Sequence, residues 1–203
     1  VVAELDQQRL QQARRATFED YRRRNASAWV GPRGTSMRPL IGRDTWMQVE
    51  FGAAAIEVGD IILFPLGDIL VAHRVVARKL RQGRPALVPK GDAEPYTDPL
   101  IAPGEVLGVV RQLRRGKRGP ESALGCAGRP AKLIATISRA HGYAAATARR
   151  AAAILPGPLR QMAFAAIPPL ARVVARITLA PFAWATWLDT THPKMKGGDL
   201  HEL

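Results

Sequence analysis

Apolar residues change their spacing twice along this chain. From Glu4 to Arg24 strong helix formers run without Gly or Pro. Val2, Leu5, Leu10, Phe18 and Tyr21 make a thin apolar face, which predicts an N-terminal helix within residues 1–26. Asn25 to Gly34 interrupts that pattern with Asn, Ser, Gly and Pro. Over residues 27–113 the apolar positions fall in short β-branched or aliphatic runs: Trp46–Glu50, Ile61–Phe64, Ile69–Ala77, Ala86–Val88 and Val106–Leu113. Turn formers separate them, among them Gly42-Arg43-Asp44, Gly59-Asp60, Gln82-Gly83 and Gly91-Asp92. Strands this close, with no room for crossover helices, predict an antiparallel β domain over 27–113.

The second change follows Leu113. Residues 114–130 read as a basic linker, opening Arg114-Arg115-Gly116-Lys117-Arg118. Ala131–Leu155 is an Ala-rich helix candidate ended by Pro156-Gly157-Pro158. Leu159–Ile167 and Leu170–Ala180 predict further helical pieces, cut at Pro168-Pro169 and Pro181. The pattern therefore predicts a mainly β fold with an N-terminal helix, a basic α-helical C-terminal extension over 131–188, and a loose tail at 189–203.

Composition narrows the partners. With 203 residues and 47% apolar content, the chain can bury one domain core and carry an extension. A single cysteine, Cys126, excludes an intramolecular disulfide and a Cys-based zinc site. The net charge of +13 is concentrated: residues 111–188 hold 13 Lys/Arg against one acid, Glu121. That block asks for an anionic partner. No run reaches the roughly 18 uninterrupted apolar residues of a spanning helix, and the N-terminus is polar and arginine-rich rather than signal-like. The expectation is a peripheral membrane or cytoplasmic protein with no transmembrane helix in this chain. Arg172 and Arg176 share a helix face beside Leu170, Val173, Val174 and Ile177, with Trp184 and Trp187 near the end. This fits a helix lying on an anionic membrane surface, and equally a helix packed on the β domain with a solvated arginine face. Nucleic acid ranks third as a partner: the charge fits, but no recognition motif accompanies it.

Three segments could carry chemistry. Gly34-Thr35-Ser36-Met37-Arg38-Pro39 places a serine on a glycine-bearing turn, where backbone N–H groups can form an oxyanion hole. Val71-Ala72-His73-Arg74-Val75-Val76 buries a histidine in an aliphatic strand. An imidazole there can take a serine proton. The Lys90–Pro99 loop carries Asp92, Glu94 and Asp98, any of which could orient the imidazole. Each segment alone has a plain structural reading: a turn serine, a core histidine bonded to a carbonyl, a loop of Asx turns.

In order, Ser-Met-x-Pro, Gly-Asp-Ile-Ile-x-Phe from Gly59, His73-Arg74-Val75-Val76, Lys90-Gly91-Asp92 with a later Asp, and Val106-Leu107-Gly108 resemble the type I signal peptidases, serine peptidase family S26. The resemblance covers about Val30 to Leu113. His-Arg rather than Lys-Arg at the base position is similar to the archaeal and endoplasmic-reticulum branch. It implies a coiled, mostly antiparallel β catalytic domain and acyl transfer by Ser36, His73 and Asp98, with Asp92, Gly34 and Met37 in support. It implies no cofactor and no metal. The substrate would be an extended precursor peptide with small side chains before the cut. Two departures stand out: residues 1–30 are polar where members carry a membrane helix, and Ala93-Glu94 replaces the family's Asn-Asn. Two other readings keep the residues and drop the reaction: a catalytically impaired peptide-binding module of the same fold, and a basic lipid- or nucleic-acid-binding protein with the β domain as scaffold.

Overall fold

The structure, a computed structural model, describes residues 2–31, 34–53, 55–123 and 125–188, except the side chains of residues 2–11, 14, 187 and 188. The tail expected at 189–203 and the Trp187 ring of the expected tryptophan pair lie outside the described residues.

The chain opens with α1 (Val2–Arg23) and continues through β1 (Ser27–Val30), β2 (Thr45–Phe51), β3 (Ile61–Leu66), β4 (Ile69–Arg81) and β5 (Arg84–Lys90). Then come β6 (Gly108–Arg115), β7 (Glu121–Ser122), α2 (Gly128–Ala153) and α3 (Gly157–Leu188). All strand pairs are antiparallel, in the order β1-β2-β6-β3-β4-β5, with β7 on β6. The expected antiparallel sheet is present, but mainly β is too narrow a description. The helices, of 22, 26 and 32 residues, hold more of the chain than the strands do. The fold is a seven-stranded sheet combined with long helices.

Strand alternation sorts the apolar side chains into two cores. Ile61 and Leu63 of β3 join Phe51, Met37 and Leu113 on one side; Ile62 and Phe64 join Val75, Leu87 and Val109 on the other. Helix α1 is pinned to the first core by Phe18, whose ring lies 5.3 Å from that of Phe51. Strand β1 falls where Asn, Gly and Pro predict an irregular stretch, because its four residues pair with Met47–Glu50. Part of the stretch read as a linker is likewise built onto the sheet. Arg114 and Arg115 finish β6, Glu121 and Ser122 pair with it, and Cys126 is fully buried.

Strand β4 positions the site. Its first half, Ile69–Arg74, pairs with β3; its second half, from Arg74, pairs with β5. Among the described residues, the side of Ile69–His73 away from β3 therefore has no strand partner. The outer edge of β1 is free in the same sense.

The C-terminal helices differ most from the sequence reading. Helix α3 continues through Pro168, Pro169 and Pro181 rather than breaking into pieces. Contact with α2 holds it: Ala175 and Leu179 are buried there, and His141 Nε2 lies 3.1 Å from Thr178 Oγ1. The continuous helix supplies one candidate against the expectation that the chain holds no transmembrane helix. By length and composition Gly157–Thr186 is long and apolar enough to cross a membrane, and only 11% of its most apolar window is buried. Arg172 and Arg176 divide this segment, so it contains no uninterrupted apolar run of spanning length.

Candidate active site

Serine, histidine and aspartate meet at the end of the half of β4 that pairs with β3 alone. His73 Nε2 is 2.9 Å from Ser36 Oγ, and His73 Nδ1 is 2.6 Å from Asp98 Oδ2. An ionised carboxylate only accepts, so Nδ1–H donates to Asp98 and Nε2 is left to accept the Ser36 hydroxyl proton. His73 is buried, its ring edge-to-face with that of Phe64 at a centroid separation of 6.2 Å. Neither ring nitrogen has the backbone-carbonyl partner of an ordinary core histidine. Such a relay can move a proton from Oγ to the imidazole while the carboxylate stabilises the resulting cation.

Two close approaches hold the serine turn against the acidic loop. The Ala93 N–H donates to the Ser36 carbonyl at 2.7 Å, and the Asp92 N–H approaches Met37 Sδ at 3.5 Å. Gly91 makes this docking possible: a Cβ there would lie 2.9 Å from Ser36 O and 3.0 Å from Ser36 Cβ. Farther along the loop, the Asp98 N–H donates to Pro89 O at 2.9 Å, which sets the carboxylate beside His73. Gly34 lines the cleft, but a Cβ there would meet only Ser36 Oγ at 3.9 Å, so space does not demand a glycine.

Asp92 does something different from Asp98. It and Arg74 are both fully buried, and it accepts Arg74 Nε at 3.0 Å and Arg74 Nη2 at 2.8 Å. Arg74 Nη1 donates to the carbonyls of Gly59 and Gly125, each at 2.7 Å. One guanidinium therefore ties the strand of His73 to the acidic loop, the β2–β3 turn and the approach to α2. The sequence signal was available: alternation turns Arg74 into the core opposite His73, and a buried arginine needs a carboxylate.

Lys90 is the other group that sequence reasoning undervalued. It is fully buried, and its Nζ donates to Ser138 Oγ at 3.0 Å and Gly91 O at 3.1 Å. Burial pulls its pKa down to about 8, against the pull of Asp92, Glu94 and Asp98. A Ser–Lys pair with such a lysine has the chemistry of a nucleophile and its base. Ser138 is fully buried on the inner face of α2, however, and the described bonds of Lys90 do not include Ser36. The pair instead seats α2 on the loop that carries Asp98.

A cleft of about 790 Å³ opens beside Ser36 and His73. One wall is Trp29–Gly31 at the end of β1, and the other is Ile69–His73 of β4. Its lining is mostly apolar, with Trp46, Met47 and Leu66 between the walls. Among the described residues both walls are strand edges without a partner, so an extended chain laid in the cleft could pair its backbone with either. Among the described residues no cluster of His, Cys, Asp and Glu could hold a metal. No family model, curated protein or solved structure matches the chain.

Proposed function

We propose that the protein is a serine endopeptidase acting on extended peptides or precursor proteins, of the kind its resemblance to type I signal peptidases implies. The observation that carries the reading is the unbroken relay from Ser36 Oγ through His73 to Asp98 at the mouth of a cleft walled by two free strand edges. Ser36 Oγ attacks a peptide carbonyl as Nε2 takes its proton. The imidazolium, held by Asp98, returns that proton to the leaving amine, and water repeats the sequence to release the acyl group. The Ser36 N–H is by connectivity the nearest donor for the oxyanion. Incubating the full chain with a peptide library and mapping the cuts by mass spectrometry tests this. Cleavage by wild type but not by Ser36→Ala is expected, and cleavage that survives in Ser36→Ala overturns the assignment.

The reading also puts this peptidase peripherally on an anionic membrane. Residues 128–188 carry eight Lys/Arg and no Asp/Glu. Met162, Leu170, Val173, Ile177, Ala180 and Trp184 recur at helical spacing along α3, and all are exposed. Buried Ala175 and Leu179 lie on the opposite face, and Arg176 flanks the stripe. If α3 spanned, Arg172 would fall near mid-bilayer, and each arginine there costs about 3 kcal/mol. Lying in the interface plane, the helix buries its apolar stripe and lets the flanking Arg176 reach the headgroups.

A further inference from the structure

Among the described residues, the ionisable groups lining the cleft are His73, Arg43 and Glu94. Glu94 is thus the one carboxylate among them, and it stands close to the nucleophile. Its Cγ and the Ser36 Cβ each lie 3.0 Å from the position a Gly91 Cβ would take, which bounds their separation at about 6 Å. Residues of an extended peptide advance about 3.3 Å each. A peptide held with its carbonyl at Ser36 therefore brings the side chains next to the cut within reach of this carboxylate. Glu94 is not sealed off: its side chain is 34% exposed, and its ion pair among the described residues is a 3.3 Å contact to Arg172 of α3, itself 49% exposed. A pair that open is weak, and a carboxylate has about four lone-pair sites to offer.

We propose that Glu94 is a specificity subsite selecting substrates with a Lys or Arg side chain within two residues of the scissile bond. Arg172 stands in for that cation when the cleft is empty. The inference rests on the peptidase reading and deepens it by naming the substrate class. The overall charge of +13 works in the other direction, since a cationic protein attracts acidic peptides. A preference for basic peptides must therefore come from a local group. Arg172 competes for the carboxylate, so removing it strengthens the preference, whereas a lysine bound elsewhere on the surface would be indifferent to it.

The test uses the full chain and N-acetylated peptides that differ only in Lys, Gln or Glu at each position flanking the cut, so the side chain is the sole cation. A small neutral fluorophosphonate that esterifies serine reads occupancy, as peptide protection of Ser36, alongside kcat/KM. The Lys peptide should exceed the Gln peptide by about tenfold at one flanking position, as a charge-assisted hydrogen bond allows. The ratio should fall to near one in Glu94→Gln and rise in Arg172→Ala. Glu94→Arg should prefer the Glu peptide. Equal ratios in wild type and Glu94→Gln, with Ser36 labelled normally, overturn the subsite and leave the peptidase reading standing. Absence of any Ser36 labelling in wild type overturns both.

Discussion

Replacing the two aspartates of the Lys90–Pro99 loop by asparagine should separate catalysis from stability. Asp98 makes one short bond, to His73 Nδ1 at 2.6 Å, and is partly exposed. Its asparagine variant keeps the shape and loses the charge. The fold should lose about 1 kcal/mol, the scale of one hydrogen bond, which at this chain length is a Tm shift of roughly 2–4 °C. The reaction should lose far more. An amide cannot stabilise an imidazolium, and it can hold the ring in the wrong tautomer, so kcat/KM should fall by about 10³–10⁴. Asp92 has the opposite profile. It is fully buried and takes Arg74 Nε and Nη2, while Nη1 is committed to Gly59 and Gly125. The Asp92→Asn substitution would strand a buried guanidinium, which costs about 3–5 kcal/mol, or a Tm drop of roughly 6–20 °C. Thermal unfolding by circular dichroism gives one axis, and peptide hydrolysis well below both Tm values gives the other. The Asp92→Asn variant should keep more activity than Asp98→Asn despite melting lower. The reverse pattern would mean that the triad acid and the structural brace are exchanged here.

Two further outcomes follow from the helical extension. Lys90 has its pKa lowered from 10.5 to about 8 in the folded chain, chiefly by burial. The unfolded chain therefore binds the extra proton between those values, and stability rises with pH through that window. Between pH 7 and 9.5 the urea-unfolding free energy should rise by about 1–2 kcal/mol through this group. Lys90→Met should lack that increment, and an equal rise in both proteins would refute the buried ammonium. The full chain should co-sediment with anionic vesicles and not with neutral ones, less so at high salt. Ile177→Asp on the exposed stripe should abolish the binding; a variant that still sediments would show that α3 does not face the lipid.

How legible the molecule was depends on the range over which each contact acts. Strands β2 to β6 were readable because alternation and turn chemistry are local. Strand β1 was not, since Ser27–Val30 owes its conformation to pairing with β2. Prolines at 168, 169 and 181 predicted breaks in α3 that packing against α2 overrides. Ser36, His73 and Asp98 were named through the family resemblance that their ordered motifs carry, and the structure brings all three together. Glu94, Arg172 and Ser138 acquire their meaning only when α2 and α3 fold back on the loop at 90–98. Ser138 lies 48 positions from Lys90, and Arg172 lies 78 from Glu94. No local pattern carries such a contact.

The central claim is that Ser36 is a nucleophile activated by His73, and intact-mass spectrometry after exposure to a neutral fluorophosphonate tests it most directly. One adduct should form, with loss of fluoride. Peptide mapping should place it on Ser36, and both Ser36→Ala and His73→Ala should remain unmodified. An unmodified wild-type chain, an adduct on Ser138 beside Lys90, or undiminished labelling in His73→Ala would contradict the account.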